Sequence, residues 1–85
     1  MLTTMEEQST EVKELGLRLR LIRTRQRRAV KDVAREAGLS RPGLSYIEGS
    51  YRLPRRSTLT KLCEVLGVSL EEVVKGTDVE SKYLT

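Results

Sequence analysis

The chain has 85 residues, enough for one small domain, and contains one Cys and no His, Phe or Trp. A single thiol excludes an intramolecular disulfide, and this Cys and His content excludes a structural zinc site. The net charge of +4 is uneven: residues 11 to 57 hold 13 Lys or Arg against 5 acidic residues, whereas residues 1 to 10 and 58 to 85 each carry a net charge of −2. Such a basic region is typical of a surface that neutralises phosphates.

The N-terminal part predicts a loose segment followed by a helix. Residues 1 to 10 are polar and predict a flexible segment, with Ser9 or Thr10 as the cap of a helix that runs to about Arg27. Apolar residues recur along that helix at i, i+4 and i+7, which favours a helix over a strand.

Two short helical patterns then meet at Gly38, within the stretch from Val30 to Gly49. Gly38 can take the left-handed conformation that ends a helix, and Ala34 is small where a second helix must cross closely. Ser40 can cap the next helix, and Pro42 is tolerated in its first turn because amides there lack an intrahelical partner.

The second of these helices has an inner and an outer face. Leu44 and Ile47 are three residues apart and face inward. The side chains left on other faces, free to meet a ligand, are Arg41, Pro42, Ser45 and Tyr46. The pattern predicts a helix-turn-helix, whose second helix lies in the major groove of DNA.

A loop and a fourth helix follow. Residues 50 to 56 predict an exposed loop that ends at Ser57 or Thr58 as a helix cap. Cys63 lies on the apolar stripe of the fourth helix, so it is expected to be a small buried core residue rather than a redox sensor.

The C-terminal part predicts a short fifth helix and a tail. Ser69 and Glu72 have the spacing of a capping box, and Gly76 lies just past the end of the helix. Residues 76 to 85 show little periodicity, which leaves open a flexible tail or a strap that orders against a second subunit.

Several short patterns share a fixed order along residues 11 to 75. They are Leu15-Gly16-x-Arg18-Leu19-Arg20-x-Ile22-Arg23, Val33-Ala34, Gly38-Leu39-Ser40, Ser45-x-Ile47-Glu48, Thr58-Leu59 and Leu66-Gly67-Val68. Their spacing closely resembles the Cro and phage-repressor-like, or XRE-type, helix-turn-helix domain. The resemblance implies a compact all-α, five-helix, lambda-repressor-like domain over residues 11 to 75, between a flexible segment at 1 to 10 and a tail at 76 to 85.

The resemblance also implies which side chains touch DNA. Five are directed toward the major groove, namely Ser40, Arg41, Pro42, Ser45 and Tyr46. Arg41 is expected to read a base, since a guanidinium can bond both acceptors of a guanine edge, with a phosphate contact as the alternative. The Ser40 hydroxyl is expected to cap the helix in preference to touching phosphate. Phosphate or minor-groove contacts are expected from Lys31, Arg52, Arg55 and Arg56, against the competing interpretation of a mobile, solvated loop.

One implied interaction concerns stability, and two positions depart from the family pattern. Arg23 and Glu48 are expected to form an ion pair that clamps the motif, the alternative being two exposed charges. Gly49-Ser50 replaces the usual order of a polar residue and then Gly, which predicts a shifted or more flexible turn. Val30 stands where many relatives carry a polar residue that touches DNA.

These features predict a cytoplasmic transcriptional regulator, nucleoid-associated when bound to DNA, that binds a palindromic operator as a homodimer, most simply as a repressor. Alternatives are an antitoxin, a restriction-system controller protein, or a protein-interaction module that does not read DNA; a regulatory protein partner stays open. No cofactor, metal or membrane partner is expected, nor catalysis, because no nucleophile and base have a credible spacing. Core packing explains most of the candidates for the dimer surface equally well; they are Leu53, Val68, Leu70, Val73, Tyr83 and Leu84.

Overall fold

The structure, a computed structural model, describes residues 13 to 84, which form six α-helices and no strand. The helices are α1 (Leu15–Arg25), α2 (Val30–Glu36), α3 (Arg41–Glu48), α4 (Arg56–Leu66), α5 (Leu70–Val74) and α6 (Glu80–Leu84). The predicted all-α fold is confirmed. The predicted flexible segment at residues 1 to 10, with its caps Ser9 and Thr10, lies outside the described residues.

The core is built mainly from Leu and Val side chains that the helices point at one another. Its buried apolar members are Leu15, Leu19, Val33, Ala34, Ala37, Leu44, Ile47, Leu59, Leu62, Cys63, Leu66, Val73, Val74 and Tyr83. Cys63 is buried as predicted. Burial, followed by the nearby charge of Glu72, raises the pKa of its thiol to about 11, so this thiol stays protonated near neutral pH.

The start of α4 differs from the prediction. The expected caps Ser57 and Thr58 are wrong, because the helix begins at Arg56 and both residues lie inside its first turn. The extended backbone of Arg55 already turns the chain into the helix, and its carbonyl accepts a hydrogen bond from the amide of Leu59 at 2.9 Å. No side-chain cap is formed there.

The start of α5 agrees with its sequence pattern. The Ser69 hydroxyl accepts a hydrogen bond from the Glu72 amide, and the Glu72 carboxylate accepts one from the Ser69 amide, each at 3.0 Å. This capping box satisfies two amides that would otherwise lack partners, and it starts a helix of only five residues.

Residues 76 to 85, which the sequence predicts to be either a flexible tail or a strap, contain helix α6. Tyr83 of α6 is 1% exposed within the chain itself, and Val73 is fully buried, so neither is available to a dimer surface. Leu53 and Leu84 remain exposed. None of the helices within residues 13 to 84 combines the length and apolar composition that a membrane crossing requires.

Candidate nucleic-acid interface

The turn between α2 and α3 sets the angle at which α3 is presented. Gly38 has a φ of +75°, its amide donates to the Arg35 carbonyl at 3.1 Å, and the Leu39 amide donates to the Ala34 carbonyl at 2.8 Å. These two bonds make a Schellman turn, in which the left-handed position favours glycine. The role that the sequence predicts for Gly38 is confirmed.

The fold buries one side of α3 and exposes the other. The Ser40 hydroxyl caps the helix by accepting from the Gly43 amide at 3.0 Å, and Leu44 and Ile47 are buried below. The outer face carries all five predicted major-groove residues, each exposed: Ser40, Arg41, Pro42, Ser45 and Tyr46. Positions four apart share a helix face, so this surface presents a guanidinium, hydroxyls and a phenol together.

A buried ion pair fixes the end of α3 to α1. Arg23 Nε and Nη2 donate to the two carboxylate oxygens of Glu48 at 2.7 and 2.9 Å, and Nη1 donates to the Arg28 carbonyl at 2.8 Å. Both partners are buried, so the alternative of two exposed charges is wrong. Hydrogen bonding to Glu48 raises the pKa of Arg23. The pair therefore orients α3 as a rigid, charge-neutral clamp.

The end of α3 is a second Schellman turn, with serine at the left-handed position. Ser50 has a φ of +65°, its amide donates to the Ile47 carbonyl at 3.1 Å, and the Tyr51 amide donates to the Tyr46 carbonyl at 2.9 Å. Gly49 has an ordinary φ of −83°. The expected shift of this turn is therefore wrong; the chain keeps the turn and places a residue with a Cβ where glycine is favoured.

The loop that follows carries arginines beside α3. Arg52 and Arg55 line one groove together with Gly43 of α3, while Pro54 between them is buried. Arg56 is exposed at the first position of α4, and Lys31 is exposed in the first turn of α2. The structure thus brings two of the four predicted phosphate-binding side chains to the edge of the outer face of α3.

Comparison with known proteins shows the family of this chain. A family model described as a helix-turn-helix domain matches residues 14–75, from the residue before α1 to just past α5. This chain belongs to the helix-turn-helix domain family. Comparisons with curated proteins and with solved structures gave no match.

Membership of the helix-turn-helix family explains why one face of α3 is buried and the other is exposed. Its family points to a DNA-binding regulator, in which the second helix of the motif is the one offered to DNA. The buried residues Leu44, Ile47 and Glu48 hold α3 in place, and the exposed residues remain free for a ligand.

An aromatic pair beside this helix was missed by sequence reasoning. Tyr46 and Tyr51 are 53% and 84% exposed, with ring centroids 6.3 Å apart and planes at 75°. A Cβ at position 49 would lie 2.8 Å from the Tyr51 ring, so Gly49 allows the ring to fold back. The arrangement depends on the left-handed turn at Ser50, for which the sequence has no local signal.

A basic side chain of α1 was missed as well. Exposed Arg20 lines a groove with Val30 and Ser45, above the buried pair of Arg23 and Glu48. The i, i+3 spacing of Arg20 and Arg23 was an available signal, since it places both on one side of α1. Val30 has an apolar side chain, so it cannot offer a side-chain hydrogen bond to DNA from this position.

Proposed function

We propose that this chain is a sequence-specific transcriptional regulator that represses by occupying a palindromic operator as a homodimer. The observation that carries the proposal is the exposed outer face of α3, held by two Schellman turns and by the buried pair of Arg23 and Glu48. The stretch of sequence that contains that face, residues 11 to 57, also carries the basic excess of the chain, which suits a polyanion.

Arg41 is the side chain we assign to base reading. It is exposed in the first turn of α3, and it makes no hydrogen bond or ion pair with any residue between 13 and 84. Its guanidinium is therefore available to bond guanine O6 and N7 together, a contact worth about 1 to 3 kcal/mol of discrimination. The Tyr46 ring on the same face offers an apolar surface to a thymine methyl group.

The exposed basic residues around α3 supply contacts to phosphate. Arg52 and Arg55 border α3, and Arg56 begins α4. Lys31 lies in the first turn of α2, and Arg20 lines the groove that also contains Val30 and Ser45. Such contacts hold the protein in register on the duplex and carry no sequence information themselves. With Pro42 and Gly43 offering few polar groups, affinity depends strongly on these cations.

The proposed two-fold symmetric mode takes its dimensions from the docking geometry of dimeric helix-turn-helix proteins. A dimer places its two α3 helices in successive major grooves about 34 Å apart, so the operator repeats with the symmetry of the protein. Occupancy alone then blocks polymerase, which makes repression the simplest outcome of binding.

Two substitutions separate base reading from phosphate binding. Arg41→Ala should weaken binding to a duplex selected from a random pool by about 5- to 150-fold and leave a scrambled duplex nearly unaffected. Arg55→Ala should weaken binding to both duplexes equally. It should also reduce, by about 1, the magnitude of the slope of log affinity against log salt concentration. Lys61→Ala, which removes an exposed charge from α4, is the matched control.

Salt dependence also separates this proposal from a protein-interaction module. Binding to the selected duplex should fall steeply between low and moderate ionic strength as counterions are recaptured. Equal losses on both duplexes for Arg41→Ala would overturn its assignment. If the wild-type chain binds no duplex at low salt, the proposal fails and the protein-interaction module is favoured.

A further inference from the structure

Helix α6 lies beyond the residues that the family model matches, yet it contacts the loop between α3 and α4, residues 49 to 55. The Tyr83 hydroxyl donates a hydrogen bond to the carbonyl of Pro54 at 2.6 Å, across 29 positions of sequence. Tyr83 is 1% exposed and Pro54 is buried, so water does not compete freely for this bond. The contact joins the C-terminal helix to the backbone between Arg52 and Arg55.

The tail itself is fixed to the rest of the domain. The Asp78 amide donates to the Lys13 carbonyl at 3.0 Å, and the buried Thr77 hydroxyl donates to the Val74 carbonyl at 2.6 Å. Val79 packs against the core. Helix α6 is thereby attached to the entry of α1 and the end of α5, and it gives the loop a fixed anchor.

Apart from the burial of Pro54, few contacts hold the backbone of this loop. Its first turn ends with the amide of Tyr51, and the next backbone hydrogen bond is accepted by Arg55 at the start of α4. Between them, residues 52 to 54 make one hydrogen bond in the described part of the chain, the bond from Tyr83 to Pro54. That bond therefore restrains the backbone from which Arg52 projects and which leads into Arg55.

We propose that Tyr83 is a positioning residue for DNA binding, which acts by holding the Pro54 carbonyl so that Arg52 and Arg55 meet duplex phosphates. This inference rests on the proposed function. Without the bond the loop samples more conformations, and ordering it against the duplex then costs conformational entropy at the moment of binding. Helix α6 in this way contributes to the nucleic-acid interface through the loop.

The test is Tyr83→Phe, which removes the hydroxyl and keeps the ring. Binding is measured on a labelled mixed-sequence duplex at low salt, at a temperature where circular dichroism shows each variant folded. We expect affinity to fall by about three- to tenfold, because the loop must then be ordered at binding, at a cost of up to the net contribution of the one hydrogen bond that held it. Thr77→Val is the matched control, because it removes another buried hydroxyl of the tail that bonds away from the loop; its affinity should not change.

A double-mutant comparison separates positioning from general destabilisation. In a chain that already carries Arg52→Ala and Arg55→Ala, Tyr83→Phe should have no further effect on affinity, because it acts through those side chains. Hydrogen exchange of the Tyr51 and Leu59 amides, whose hydrogen bonds flank the loop, should accelerate in free Tyr83→Phe and stay unchanged in Thr77→Val.

Three results would overturn the inference. They are unchanged affinity for Tyr83→Phe, an equal loss for Thr77→Val, or the full loss persisting without the two arginines. Each would leave the proposed function intact. Absence of wild-type binding to any duplex would instead overturn the proposed function and this inference together.

Discussion

Gly16 is the point at which the backbone of α1 touches the end of α3, and Gly16→Ala tests that contact. A Cβ there would overlap the carbonyl oxygen of Ile47 and lie 2.8 Å from that of Glu48. Both are backbone atoms, which cannot rotate away as a side chain would. Since ordinary contacts of a Cβ begin at 3.4 Å, the two helices would have to separate by about 1 Å.

The size of the effect follows from opposing contributions. Alanine gains about 1 kcal/mol of helix propensity over glycine, whereas overpacking that moves backbone costs about 1 to 3 kcal/mol or more. Moving the end of α3 also strains the bond between Arg23 and Glu48, and hydrogen bonds to charged groups contribute about 1.5 to 3 kcal/mol. We expect a net loss of about 2 kcal/mol, which lowers Tm by roughly 8 to 16 °C in a domain of this size.

The assay is urea and thermal unfolding followed by circular dichroism, with Gly43→Ala as the control. A Cβ at Gly43 would meet only the Ser40 hydroxyl, at 3.0 Å, so that variant should stay within about 1 kcal/mol of wild type or gain stability from helix propensity. If Gly16→Ala were as stable as wild type, the close backbone crossing of α1 and α3 would be refuted.

Two further substitutions and one chemical reaction test the same architecture. Arg23→Met should lower the free energy of unfolding by about 3 to 5 kcal/mol in urea titrations, because it leaves the buried Glu48 carboxylate unpaired; a loss below about 1 kcal/mol would contradict a buried pair. Ser50→Gly should raise the urea midpoint and increase the free energy of unfolding by about 0.5 to 1 kcal/mol. Glycine relieves the strain of the left-handed backbone, and this outweighs the loss of an exposed hydrogen bond to Glu14. A lower midpoint would contradict this explanation. Cys63, whose pKa is raised to about 11, should react with a chromogenic disulfide at about pH 8 only after unfolding, and rapid reaction of the folded chain would be the contrary result.

The parts of the fold that local chemistry determines were predictable. Gly38, Ser40 and the capping box of Ser69 and Glu72 each act within a few residues, and each lies at the helix end that its pattern predicts. The start of α4 was not predictable, because the extended backbone of Arg55 determines it rather than a capping side chain. Helix α6 has only five residues, too few for a periodic signal.

The candidate site divides in the same way. The outer face of α3 follows from helical spacing alone, so Arg41 and Tyr46 could be assigned to it from the sequence. The pairing of Arg23 with Glu48 came from the family resemblance, since spacing does not pair residues 25 positions apart. The contacts of Tyr51 and Tyr83 depend on a left-handed serine and on a bond across 29 positions, and such long-range effects leave no local pattern.

The central claim is that the outer face of α3 reads a specific, symmetric DNA site, and selection of bound duplexes from a random pool tests it most directly. The account predicts enrichment of a two-fold symmetric sequence whose half-sites lie about one helical turn apart, with a guanine in each half-site that loses its selection in Arg41→Ala. Enrichment of no sequence, or of a single asymmetric half-site, would contradict it.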